Sequence, residues 1–259
     1  MAADQPRTAK DTYAIFAEVY DAWQRLFGKE YAVLVAPLVN ERLASQVGSV
    51  RNLIDLACGT GTFAVLQARA GTHVTGVDLS EPMLRQALRK ASGQPISVQF
   101  VQSDMSKFNV ARPVDAITCL YASLGHLNSL HDVCATFERV RAHLRPGGAF
   151  VFDLNTPAGF EALWRNPSIE RGDGFTIRRT FEADCGSVWT TMHMTIEIQS
   201  EVPRPGVSTL IRARWFSETE IRAMLTDAGL AVVDVLAFNP FTEVAGEDLK
   251  QLWTAVRPL

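Results

Sequence analysis

Between Asn52 and Asp78 an apolar run, Leu53-Ile54-Asp55-Leu56, leads into a glycine turn, Ala57-Cys58-Gly59-Thr60-Gly61. An apolar helical stretch follows, and a second apolar run closes on Val77-Asp78. The spacing predicts a strand, loop, helix, strand unit, and it constrains the fold more than any other stretch of the chain. Two glycines permit a tight turn and close approach of backbone to a ligand. The helix beginning near Thr62 turns its free N–H groups to the same space. Asp78, at the second strand end, is placed to accept both hydroxyls of a ribose. Together these features predict a cradle for an adenosine.

Two cofactors satisfy that cradle. Gly59, Gly61 and Ala64 meet the dinucleotide pattern Gly-x-Gly-x-x-Gly/Ala, with Asp78 near the offset of the ribose acid, so a nicotinamide enzyme is a competing reading. Three features weigh against it. Asp55 sits directly before the turn, where it would repel a pyrophosphate. No tyrosine has a lysine four residues on, which removes the common hydride-transfer pair. Ser103-Asp104-Met105, after the apolar run Ile96 to Val101, offers a carboxylate to an exocyclic amine and an apolar side chain to a purine face.

Strand and helix signals alternate from Leu53 to Asp153, which predicts an α/β fold, a doubly wound and mostly parallel seven-stranded sheet with binding groups at the carboxyl ends of its strands. Asp55, Asp78, Asp104, Tyr121 and Asp153 fall at such ends. Two amino-terminal helices precede the sheet: Ile15, Phe16, Val19, Tyr20, Trp23 and Leu26 recur at helical spacing, as do Val35, Leu38, Val39 and Leu43. Residues 1 to 9 are polar and expected to fray. Phe175–Phe181, Val188–Ile198 and Val207–Trp215 read as strands, the second alternating apolar with polar positions, which predicts an inserted, half-exposed antiparallel sheet. Ser217 and Glu220 form a capping box for a helix ending near Gly229, and Leu230–Phe238 and Leu249–Val256 supply the last two strands. The expected organisation is amino-terminal helices over 1–48, a cofactor-binding core over 49–158 and 217–259, and a substrate lid over 159–216.

At 259 residues the chain buries a sizeable core without staples. A net charge of −3 provides no basic field for a phosphate backbone, so nucleic acid is not an expected partner. Neither a leader nor an apolar run of about 18 residues is present, so no membrane association and a cytoplasmic location are expected. The four cysteines and five histidines show no ligand spacing, so no metal is expected, and the cysteines suit reduced, buried thiols.

Four blocks lie in order over about residues 50 to 155: Asp-Leu-Ala-Cys-Gly-Thr-Gly from Asp55, Val-Asp-Leu-Ser-Glu-Pro-Met-Leu from Val77, Ser-Asp-Met from Ser103, and Arg-Pro-Gly-Gly from Arg145. This ordered set resembles the class I S-adenosylmethionine-dependent methyltransferases. The resemblance implies S-adenosyl-L-methionine as cofactor, with Asp55, Gly59 and Gly61 around the methionyl part. It also implies Asp78 on the ribose, Leu79 and Met83 against adenine, and Asp104 on its amine beside Met105. Ala57 stands where the family has its first glycine. Leu120 belongs to the segment after the fourth strand, which in the family lies beside the sulfonium.

That segment continues Tyr-Ala-Ser-Leu-Gly-His-Leu. With the amino-terminal Val19-Tyr20-Asp21 and Gly28-Lys29-Glu30-Tyr31, it is similar to small-molecule N-methyltransferases acting on amino sugars. By position the resemblance implies His126 as base or orienting group, Tyr20 over the substrate and Tyr31 near the methionyl carboxylate. Each has a plainer reading: His126 as a local cap, Tyr20 as core. Tyr13, Tyr121, Ser123 and Asn155 are expected to line the substrate pocket; Asp153 and Asn155 also suit an ordinary turn before Thr156-Pro157. Arg171, Arg178, Arg179, Arg212 and Arg214 offer recognition of an anion or a solvated sheet face. The segment after the fourth strand lacks the Asn/Asp-Pro-Pro-aromatic element of base amine methylases, and no Pro-Cys nucleophile occurs. The expected activity is methyl transfer to a small-molecule amine by a monomer or homodimer. Oxygen transfer, a nicotinamide oxidoreductase and a cofactor-binding module without activity are the alternatives.

Overall fold

The computed structural model describes residues 9–183, 187–199, 206–240 and 248–259; the polar residues 1–8 and Cys185 lie outside them. Two helices, α1 (Ala9–Arg25) and α2 (Tyr31–Val47), precede the sheet. The core then runs β1 (Asn52–Leu56), α3 (Thr62–Arg69), β2 (His73–Asp78), α4 (Glu81–Ala91), β3 (Val98–Gln102), β4 (Val114–Cys119), α5 (Leu130–His143), β5 (Leu144–Asn155) and α6 (Pro157–Trp164). Four strands follow, β6 (Ser168–Gly172), β7 (Phe175–Glu182), β8 (Trp189–Ile198) and β9 (Val207–Arg214). The chain closes with α7 (Glu218–Asp227), β10 (Ala231–Phe238) and β11 (Lys250–Val256).

The seven-stranded sheet has the order β10-β11-β5-β4-β1-β2-β3. Its five strands from β5 to β3 are parallel, and β11 runs antiparallel between β5 and β10. Both faces are covered, which is why the parallel strands read as continuous apolar runs. Leu53, Ala116 and Val151 pack with α2 and α3, while Ile54, Ile117 and Phe152 pack with α5 and α7. The strand order reverses between β1 and β4, and a crevice at the carboxyl ends of the strands opens there. The register puts Asp55 of β1 beside Thr118 of β4 at that point.

β6 to β9 form a separate four-stranded antiparallel sheet. Met192, Met194 and Ile196 of β8 are buried with Phe175 and Ile177 against Phe16, Val19 and Trp23 of α1. At roughly 1.5–3 kcal/mol per fully buried large apolar side chain, this face holds α1 over the carboxyl edge of the core. The sequence reading has three strands here and the structure has four. β6 was missed because its alternation is inverted: Ile169 is exposed while Ser168 and Glu170 turn inward. The turn expected at Thr156-Pro157 instead starts α6, with the Thr156 hydroxyl accepting from Gly159 N as N-cap. The Ser217 capping box is present, its side chain accepting from Glu220 N.

Candidate active site

Beyond β1 the chain enters the left-handed region at Ala57 (φ 52°), Gly59 (φ 55°) and Gly61 (φ 74°). The two glycines serve different ends. A Cβ on Gly59 would stand in open space, at the rim of the crevice, whereas one on Gly61 would lie 2.7 Å from Ala87 Cβ of α4. Gly61 thus lets α3 pack against α4. Gly59 N donates to Asp78 Oδ2 and Ser80 N to Asp78 Oδ1, both at 2.8 Å. These donors oppose the upward push of burial on the Asp78 pKa, and the carboxylate oxygens keep lone pairs for a diol.

Asp55 is 2% exposed and accepts from Thr118 Oγ1 at 2.8 Å. Burial pushes its pKa up to about 7, with Thr118 pulling it down and the Asp78 charge adding to the rise. A cavity of about 80 Å³ lies against Asp55, Tyr31 and Leu120. A larger cavity, about 860 Å³, runs from Asp78, Leu79, Met83, Asp104 and Met105 to Tyr13, His126 and Asn155. Tyr20, Ala57, Gly59, Tyr121 and Ser123 line both. Asp104 is tethered through one oxygen, Oδ1, which accepts from Ser106 N and Oγ at 2.8 Å.

Past β4 the backbone makes a second left-handed step at Tyr121 (φ 64°) and Ala122 (φ 55°). Such residues cost about 1–3 kcal/mol each unless their surroundings hold them. Asp153 does so: Oδ1 accepts from Tyr121 N at 2.5 Å and Oδ2 from Ala122 N at 3.1 Å. Lys250 completes the clamp, its Nζ 2.8 Å from Asp153 Oδ2 and packed over the rings of Tyr31 and Tyr121. Asp153 is therefore spent on the loop, a correction to its expected availability for substrate. The 3₁₀ turn Ser123–His126 that follows carries the imidazole. His126 Nδ1 lies 3.3 Å from the Arg212 carbonyl of β9, and the ring tilts against Trp164. A carbonyl only accepts, so Nδ1 bears the proton and Nε2 keeps its lone pair. Burial, with Lys250 nearby, lowers the His126 pKa and keeps the ring neutral near pH 7.

Helix α1 roofs the site and is tied to the glycine loop. Asp21 accepts from Thr60 Oγ1 at 2.5 Å and pairs with Lys90 of α4 at 2.8 Å; Glu30 accepts from Thr62 Oγ1 at 2.6 Å. Tyr20 packs edge-on against Phe16, and burial pushes its phenol pKa well up. Tyr31 lies tilted against Tyr121 with ring centroids 4.5 Å apart.

A methyltransferase domain profile matches residues 53–148, the stretch that builds the cradle. The dTDP-3-amino-3,4,6-trideoxy-α-D-glucopyranose N,N-dimethyltransferase of Streptomyces venezuelae is 28% identical over 222 residues, 83% of this chain and 90% of that protein. Residues 53–148 of this chain form an S-adenosylmethionine-dependent methyltransferase domain. Among solved structures, Streptomyces venezuelae DesVI superposes with a TM-score of 0.71 at 26% identity, over 98% of this chain and all of that one (100%). The S-adenosylmethionine-bound amino pentose methyltransferase CalS10 of Micromonospora echinaspora gives 0.68 at 25%, covering 92% and 96%.

In this methyltransferase the residues expected around the cofactor, Gly61 apart, line one or both of two joined cavities; of those expected at the acceptor, Tyr13, His126 and Asn155 line the larger one alone and Tyr20, Tyr121 and Ser123 line both. Sequence reasoning missed Lys250, Glu170 and Trp23, which also line it. Lys250 lies at the start of an apolar strand and carries no local signal; Glu170 lies on the overlooked β6. Of the five arginines considered for an anion, Arg179 alone lines a cavity. Arg212 stacks on Trp189, Arg214 pairs with Glu220 and Arg178 lies near Glu197. Among the described residues no helix is long and apolar enough to cross a membrane, and no His/Cys/Asp/Glu group could hold a metal.

Proposed function

We propose that this methyltransferase acts on the nitrogen of a small-molecule amine, with His126 taking the proton and the β6–β9 sheet with α1 closing over the acceptor. The observation that carries the reading is the neutral imidazole of His126. It is oriented by the Arg212 carbonyl and lines the same cavity as Asp78 and the junction residues Tyr20, Tyr121 and Ser123. The relative from Streptomyces venezuelae is named for dimethylation of an amino sugar, which supports an amine acceptor.

The residues fit S-adenosylmethionine on grounds of donor chemistry: a held carboxylate for a diol at Asp78, open space over Gly59, and a carboxyl at Asp55 beside the narrow cavity. Bound there, S-adenosylmethionine would supply an electrophilic methyl carbon to the lone pair of an acceptor nitrogen, the C–S bond breaking as S-adenosylhomocysteine leaves. Asp78 would hold the ribose, Leu79, Met83 and Met105 the adenine, with Asp104 on its amine. Asp55, Ala57, Tyr31 and Leu120 would enclose the methionyl end. Tyr20 and Tyr121 keep water from the junction, and alignment in a dry site supplies most of the acceleration. Tyr13, Ser123 and Asn155 would face the acceptor. His126 Nε2 takes the proton that the nitrogen carries once methylated, restoring a neutral amine that a second transfer could use.

The test is S-adenosylhomocysteine formation with a panel of hydroxylated primary amines. Turnover with at least one amine, falling at least a hundredfold in His126→Ala while S-adenosylhomocysteine affinity holds, is the expected result. Turnover with phenols or catechols alone would refute nitrogen transfer.

A further inference from the structure

The charges around the larger cavity carry an inference about its acceptor. Among the described lining residues Lys29, Arg179 and Lys250 are the cations beside the neutral His126, against the four carboxylates Asp78, Asp104, Asp132 and Glu170. Two of those cations are committed. Lys250 belongs to Asp153, which lies beneath it, and both side chains are at most 1% exposed. Arg179 belongs to Glu170. Its Nη2 donates to Glu170 Oε1, and its Nε lies 3.1 Å from the same oxygen and from Ser168 Oγ. The guanidinium rests over Trp23 and Phe181. The third cation, Lys29, is exposed at the rim.

The pair is built into the inner face of the inserted sheet. Register sets Ser168 opposite Arg179 and Glu170 opposite Ile177, so Glu170 and Arg179 are diagonal neighbours on one face, with side chains 10% and 18% exposed. An anion entering here meets no uncommitted buried cation among the described residues. To bind Arg179 it would have to leave the Glu170 charge buried and unpaired, which strongly disfavours the exchange. Moreover, Glu170 Oε2 and Asn155 Oδ1 have no hydrogen-bond partner among the described residues.

Resting on the amine methyltransferase reading above, we infer that the acceptor carries no phosphate or diphosphate. Glu170 is the residue that sets this selectivity, by neutralising Arg179. Such an acceptor would differ from the dTDP-linked sugar named for the Streptomyces venezuelae relative.

The test titrates thymidine diphosphate, by calorimetry, into the full-length protein saturated with S-adenosylhomocysteine. The wild type should show no saturable binding up to millimolar concentration. Glu170→Gln should gain at least tenfold in affinity, and adding Arg179→Met should remove the gain. Micromolar binding by the wild type overturns the inference whether or not the variants fold, as does a correctly folded Glu170→Gln protein with no gain. Failure of the methyltransferase reading shows separately, as absence of S-adenosylhomocysteine formation from S-adenosylmethionine with every amine.

Discussion

The Asp55 carboxyl is buried within a parallel sheet with the Thr118 hydroxyl as its donor, and its pKa stands at about 7 against an ordinary 3.8. Each tenfold change in proton affinity is worth about 1.36 kcal/mol, so the ionised carboxylate at pH 8 costs the empty fold roughly 4 kcal/mol relative to the protonated form. The sign follows from proton binding. Between pH 4 and 7 the folded state holds a proton that the unfolded state has lost. This group's contribution is therefore fully present below about pH 4 and disappears as pH rises to 7. Asp55→Asn keeps an acceptor for Thr118 and removes the charge. The variant should gain roughly 2–4 kcal/mol over the wild type at pH 8, on the order of 10 °C in Tm, and almost nothing at pH 4. The same substitution strips the narrow cavity of its carboxylate, so S-adenosylhomocysteine affinity should drop about 10- to 100-fold, the worth of one hydrogen bond to a charged group. Thermal melts at both pH values and calorimetric titration at pH 8 read the two effects. A stability gain equal at pH 4 and pH 8, or unchanged cofactor affinity, would refute the reasoning.

Because burial lowers the His126 pKa, the limb of the kcat profile that depends on Nε2 becoming protonated should lie below the ordinary imidazole value of 6.5, and His126→Gln should lose that limb. Lys250→Met leaves Asp153 buried without its countercharge and should cost about 3–5 kcal/mol in urea unfolding, with Lys250→Met/Asp153→Asn recovering part of the loss. Gly61→Ala sets a Cβ 2.7 Å from Ala87 in left-handed backbone, and should cost about 2–4 kcal/mol; a melt matching the wild type would contradict the packing role.

Legibility in the sequence followed the range of the interaction that placed each residue. Asp78, Gly59 and the Asp104 turn are positioned by strand ends and tight turns a few residues long, and periodicity with glycine spacing finds such features. The same holds for α2, which spans the predicted Tyr31 to Val47, and for the Ser217 cap. The packing role of Gly61 was not legible, because its steric partner, Ala87, lies on another helix. β6 escaped because a strand whose polar side faces inward reads as exposed loop. Its inward polar residues are those that complete the Arg179 pair.

By itself the sequence determined that the chain forms a doubly wound sheet with a cradle for S-adenosylmethionine at its switch point. The apolar periods and the glycine turn are local, and strands that are apolar throughout require helices on both faces of the sheet. Tertiary structure alone decided which charges remain available at the acceptor end. Lys250 finds Asp153 across 97 residues of chain, and His126 finds the Arg212 carbonyl across 86. Arg179 meets Glu170 only through the register of a strand that the alternation conceals. A charge in a sequence has a sign but no partner, and in a buried site it is the partner that determines which ligands the charge can bind.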